Sequence, residues 1–103
     1  MYTYKLYNEI YNIKLMRSIY SDNNNTAIIA ETEEGEPFGV LTVNLGEDLP
    51  KDMAYINTNN MPDALDFLIK NDLAEDTGKT GKSGFCTYPL VKLKLDKIPE
   101  LKF

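Results

Sequence analysis

The sequence predicts an α+β domain: a largely antiparallel sheet of four to five strands with one α-helix, at about residues 61-75, packed on one face. Apolar residues alternate with polar ones in several separate runs, the mark of half-buried strands. A single stretch carries apolar residues at i, i+3, i+4 and i+8, enough for one helical stripe. The length of 103 residues is that of one domain, because halves would be too small to bury enough apolar surface without disulfides or metals.

Between Ile10 and Tyr20, the apolar residues Tyr11, Ile13, Leu15 and Ile19 alternate with polar ones, and Arg17 breaks the series. This predicts a strand. Leu6, Ile10, Ile13 and Tyr20 also fit a helical stripe, and the tyrosine and isoleucine content tips the choice towards β. Ser21 to Asn25 is a turn, since Asp and Asn tolerate left-handed backbone and hydrogen-bond their own main chain. Thr26 to Thr32 and Phe38 to Leu45 form a hairpin around Glu33-Glu34-Gly35-Glu36-Pro37, with Gly35 supplying the positive φ of a tight turn. Leu41, Val43 and Leu45 share the face expected to be core.

Gly46 to Lys51 reads as a loop and Met53 to Asn57 as a short edge strand before the Asn59-Asn60 turn. The helix follows, capped by Asn60 or Met61, with Pro62 in its first turn and Asp63 and Asp66 near the positive end of its dipole. Leu65, Leu68, Ile69 and Leu73 make its stripe, and it stops by about Glu75. Thr77 to Gly84 carries three glycines and is expected to be irregular. Phe85 to Leu95 is a strand with Val91, Leu93 and Leu95 inward, and Pro89 places it at an edge or a bulge. Ile98 to Phe103 is a tail that packs through Leu101 and Phe103.

Composition narrows the chemistry. Histidine is absent, which removes Ser-His and Cys-His nucleophile pairs and histidine-ligated zinc. Cys86 is the lone cysteine, so no intrachain disulfide forms, and the plain reading of a lone cysteine is a small packed apolar residue. Gly78-Lys79-Thr80-Gly81-Lys82-Ser83 has the residues of a phosphate loop but not its spacing, and it runs from helix into strand rather than from strand into helix. Asp22, Asn24, Thr26 and Glu33 fall on calcium-loop positions, but Ala27 stands where that loop needs glycine. No catalytic residue, cofactor or metal site is expected. No window reaches the roughly 20 apolar residues of a membrane span, and the start lacks a signal-peptide layout, so a cytoplasmic location is expected.

The formal charge of -5 is unevenly spread. Residues 1 to 30 carry +1; residues 31 to 76 carry twelve acids against Lys51 and Lys70, a net -10; residues 77 to 103 carry six lysines against Asp96 and Glu100, a net +4. A surface dense in carboxylates repels nucleic acid and attracts basic grooves on other proteins. The expected partner-binding residues are therefore Glu31, Glu33, Glu34, Glu36, Asp63 and Asp66, against the alternative that these acids are simply solvated. A secondary contact is expected from Tyr2, Tyr4 and Tyr7, as an interface or homodimer seam, and from Lys79 and Lys82, which have the charge to touch phosphates. Six lysines without arginine at this net charge make direct nucleic-acid binding the weaker reading.

Gly35-Glu36-Pro37-Phe38, Leu41-Thr42-Val43-Asn44-Leu45, Ser83-Gly84-Phe85 and Tyr88-Pro89 resemble a bacterial domain-of-unknown-function family of small acidic proteins carried on conjugative elements and phages. The resemblance runs from residue 10 to 95 and brings no catalytic residues. It implies a mobile-element protein that neutralises a host defence, such as a CRISPR-associated nuclease, or serves element maintenance and transfer. The leading expectation is a non-enzymatic inhibitor of a host nuclease with a basic surface, anti-CRISPR in type. The alternative is a nucleic-acid-binding or self-assembling maintenance module.

Overall fold

The alternating runs become strands in a computed structural model that describes residues 1–101. They are β1 (Tyr2–Leu6), β2 (Glu9–Ile19), β3 (Thr26–Thr32), β4 (Pro37–Val40), β5 (Thr42–Val43), β6 (Met53–Ile56), β7 (Ala74–Ser83) and β8 (Cys86–Leu93). The helix α1 (Ala64–Lys70) lies between β6 and β7, and a 3-10 turn spans Leu95–Lys97. The α+β class holds, but the expected single sheet is two four-stranded antiparallel sheets, ordered β1-β2-β3-β4 and β5-β6-β8-β7.

The division falls at Leu41. Its N–H donates to the Ile28 carbonyl of the first sheet at 2.9 Å, and its carbonyl accepts from Asn57 N–H, just past β6, at 2.8 Å. Phe38 to Leu45, expected as one strand, therefore changes partners within one residue. The Thr42 hydroxyl accepts from Ile28 N–H at 3.2 Å, meeting a donor the break would leave bare inside the protein. The expected common face divides with the strand: Leu41 enters the main core, while Val43 and Leu45 pack on a second cluster with Tyr55, Tyr88 and Leu90.

Residues 9–19 are strand rather than helix, with Ile13 and Leu15 buried. Arg17 breaks the apolar series because its Nε donates to the Ile98 carbonyl at 2.9 Å. Its N–H also bonds Pro99 O, and its carbonyl accepts from Leu101 N–H, both at 2.8 Å. The tail docks there through buried Ile98 and half-buried Leu101, while Phe103 lies outside the described residues.

The helix is shorter than the sequence predicts. Met61 N–H bonds Asn57 O and Ala64 N–H bonds Met61 O, so turns precede it, and the capping position is Asp63 without a side-chain bond. Asp72 at φ 58 closes it. Its buried stripe is Ala64, Phe67 and Leu68; Ile69 is 43% exposed, and Leu73 reaches the core from the exit turn. β6 is interior rather than an edge, since it pairs with β5 and β8.

Residues 74–83 form a strand where glycines predicted irregular backbone. The ladder slips only between Asp76 and Thr80, where the Thr77 hydroxyl donates to Leu90 O at 2.7 Å. Pro89 sits opposite Thr80 beside that irregularity in an interior strand, and β6 pairing stops at Leu90, short of the proline. The bulge reading of Pro89 thus holds and the edge reading does not. β8 is buried on both faces, sending Val91 and Leu93 to the main core and Tyr88 and Leu90 to the second cluster.

Candidate contact surfaces

The expected acidic residues occupy two features. Glu33, Glu34 and Glu36 are exposed on the β3–β4 turn, and Glu31 is half-buried beneath them, opposite Lys14 on β2. Three bonds hold the turn: Gly35 N–H to Thr32 O at 3.0 Å, Thr32 N–H to Glu36 O at 2.9 Å, and Glu36 N–H to the Thr32 hydroxyl at 3.2 Å. Gly35 takes φ 85, which a side chain would strain. Among the described residues, the ion pairs are those of Lys94 and Lys97 with Asp72, so the hairpin carboxylates stand unneutralised. Those two lysines hold the Asp72 carboxyl down at about 2, Lys94 more strongly.

Asp63 and Asp66 instead line a groove of about 390 Å³ with Thr3, Tyr4, Lys5, Ile10, Phe67 and Lys70. Phe67 and Lys70 lie one helical turn from Asp63 and Asp66, whereas Lys5 of β1 and Ile10 of β2 meet these acids only when the β1–β2 hairpin and α1 come together, which no local spacing predicts. Ile10 is 70% exposed, a large apolar side chain left in water.

The tyrosines separate according to strand alternation. Tyr7, at the β1–β2 turn with φ 51, is exposed. Tyr2 is half-buried, edge-on to Phe67 at 5.9 Å. Tyr4, expected as a contact residue, is 1% exposed and belongs to the core, its ring 5.0 Å from Phe67 and 5.6 Å from Phe38. It alternates with exposed Thr3 and Lys5 and pairs across the strand with Tyr11, so β1 directs it inward. Its hydroxyl is buried without a hydrogen-bond partner among the described residues. Burial, followed by the nearby Asp63 charge, pushes it up to about 12.

Lys79 and Lys82 are exposed on β7, and Phe85 at the β7–β8 turn is fully exposed. Cys86 is half-buried against the second cluster, as a packing residue would be. The Asp22 to Thr26 region is tied inward: the Thr26 hydroxyl donates to Lys51 O at 2.6 Å, and Asn25 Nδ2 donates to Glu47 O at 2.6 Å. Among the described residues, no group of three or more His, Cys, Asp or Glu side chains is placed to hold a metal. Among the described residues, no helix is long and apolar enough to cross a membrane.

Fold and surface together describe a small α+β protein with two charged hairpins and a groove between β1 and α1. Residues 14–102 match the family model described as Domain of unknown function (DUF4313), and the chain belongs to that family. No curated protein and no solved structure matches it.

Proposed function

We propose that the chain is a non-enzymatic binding protein that presents Glu33, Glu34 and Glu36, with Glu31 at their base, to a basic surface on a partner protein. The observation that carries this reading is a tightly bonded turn whose carboxylates have no ion pair among the described residues. Such a turn has little freedom left to lose on binding. Nucleases hold nucleic acid in positively charged channels, and a rigid acidic tip complements one. With the resemblance to a family carried on bacterial conjugative elements and phages, this supports an inhibitor of a host defence nuclease, anti-CRISPR in type, acting in the cytoplasm.

The test is capture from nuclease-treated host lysate, identification by mass spectrometry, and a cleavage assay on the captured nuclease. A stoichiometric nuclease that is inhibited by the chain, and is lost with Glu33→Lys, Glu34→Lys and Glu36→Lys combined, supports inhibition. No partner, or one that disappears on nuclease treatment, overturns it. One arrangement favours the second reading, a nucleic-acid-binding or self-assembling maintenance module: Lys79, Lys82 and fully exposed Phe85 share the β7–β8 hairpin. Lysines supply phosphate contacts and an exposed aromatic ring a surface on which bases stack. Salt-dependent binding of single-stranded DNA that is lost with Phe85→Ala would establish that reading.

A further inference from the structure

We propose that the open edge of β1 is a peptide-binding edge, where an extended segment of a partner protein with basic side chains adds as a further strand in the groove between β1 and α1. Among the described residues β1 ends its sheet, with β2 on one side and no strand on the other. The direction of its backbone groups follows from Arg17. The N–H and C=O of Arg17 face the tail, which lies on the β1 side of β2. Backbone groups alternate along a strand, so Glu9, Tyr11 and Ile13 also face β1 and take up Leu6, Tyr4 and Tyr2. Thr3 and Lys5 therefore turn their N–H and C=O outward, and both residues line the groove.

Edge strands are usually blunted by charge, proline, glycine or a bulge. β7, an edge of the second sheet, has such devices in Glu75, Asp76, Lys79, Lys82, two glycines and a ladder irregularity. β1 has a regular register and a single lysine. A chain added there is hydrogen-bonded by Thr3 and Lys5, and its side chains alternate between two walls. One wall, α1, carries Asp63 and Asp66, exposed and without ion pairs among the described residues, over Phe67, with Lys70 one turn beyond Asp66, so this wall keeps a net charge of one negative. The other carries exposed Ile10 beside its cross-strand neighbour Lys5. Basic side chains at alternate positions directed to the α1 wall, with apolar ones between them directed to Ile10 and the Lys5 stem, match these walls.

Amide hydrogen exchange on the full chain tests the proposal, with a short alternating valine–arginine peptide as probe. In the free protein, Thr3 and Lys5 amides exchange fast while Tyr4 is protected. Adding the peptide slows Thr3 and Lys5 and shifts Asp66 and Phe67 resonances, whereas an alternating valine–glutamate peptide does neither. Asp63→Asn with Asp66→Asn weakens binding by about tenfold. Thr3→Pro removes an outward N–H without touching the β1–β2 ladder and weakens it at least as much.

Glu33→Lys, Glu34→Lys and Glu36→Lys leave peptide binding intact, so this proposal and the hairpin reading fail separately. Protection of Thr3 and Lys5 in the free monomer, absence of peptide binding, or binding indifferent to the aspartate variants would overturn it. Concentration-dependent protection accompanied by a dimer would assign the edge to a second copy of the chain and overturn it too.

Discussion

The β3–β4 and β7–β8 hairpins carry opposite charges and owe their shapes to different causes. In β3–β4 the glycine stands at the turn, where φ 85 demands it, and local hydrogen bonds close the loop. In β7–β8, Gly81 lies inside the strand, where a Cβ would sit 2.6 Å from the Tyr55 ring. One glycine serves the backbone and the other serves packing against a residue 26 positions away in sequence (81 against 55). The first can be read from its neighbours alone; the second cannot.

The sharpest way to break this comparison is Gly81→Ala. If the 77–84 segment were a free loop, the change would be almost silent. Against the Tyr55 ring it is expected to cost about 3 kcal/mol, read by chemical denaturation, and Tyr55→Ala in the same chain should reduce the additional loss. Gly35→Ala should cost about 1 kcal/mol through left-handed backbone strain, because no atom lies nearer than Glu31 Oε2 at 3.9 Å.

Alkali should act most strongly on the half that carries the acidic hairpin, since Tyr4, the tyrosine pushed furthest up, packs against Phe38 of β4. The Tyr4 hydroxyl is pushed up to about 12 from an ordinary 10.0, so folding favours its neutral form. That contribution is complete below pH 10 and is lost as pH rises towards 12. Tyr4→Phe should gain about 1 kcal/mol at neutral pH by removing a buried hydroxyl without a partner among the described residues, and should reduce the alkaline sensitivity, leaving the smaller share of Tyr20, Tyr55 and Tyr88, which are also raised, as thermal unfolding against pH would record.

Acid should act, more weakly, on the base of the other hairpin, where Lys94 after β8 and Lys97 pair with Asp72 before β7. Folding favours the ionised carboxylate here. Its contribution is present above pH 3.8 and falls away as pH drops towards 2, and Asp72→Asn should abolish the effect. Amide exchange across residues 72–94 at low pH would detect it, with the β3–β4 turn unaffected.

Legibility followed the range of the determining contact. The Ser21 to Asn25 turn, β3 and the Gly35 turn depend on neighbours and match their sequence readings, whereas the strand expected over Phe38 to Leu45 is split at Leu41 by contacts from elsewhere. The helix was legible in kind but not in length, because its stop at Asp72 lets Leu73 bond Leu68 O and deliver the chain into β7. Of the candidate site, the exposed hairpin glutamates could be placed from their turn. The groove could not, since Asp63 and Asp66 meet Lys5 and Ile10 only through the approach of α1 to β1. Tyr4 is core rather than contact surface because residues 2–6 form a strand, in which Tyr2, Tyr4 and Leu6 alternate with Thr3 and Lys5.

By itself, the amino-acid sequence determined the α+β class, the unequal charge of its segments and the turns, because residue type and short-range spacing govern those properties. Only the tertiary structure decided that the strands form two sheets, that glycine is required at position 81, and that β1 is left open beside two aspartates. Each of these depends on which distant residue arrives opposite: Asn57 and Ile28 on either side of Leu41, Tyr55 over Gly81, and α1 along β1. Such encounters are set by packing the whole chain, and no local pattern records them.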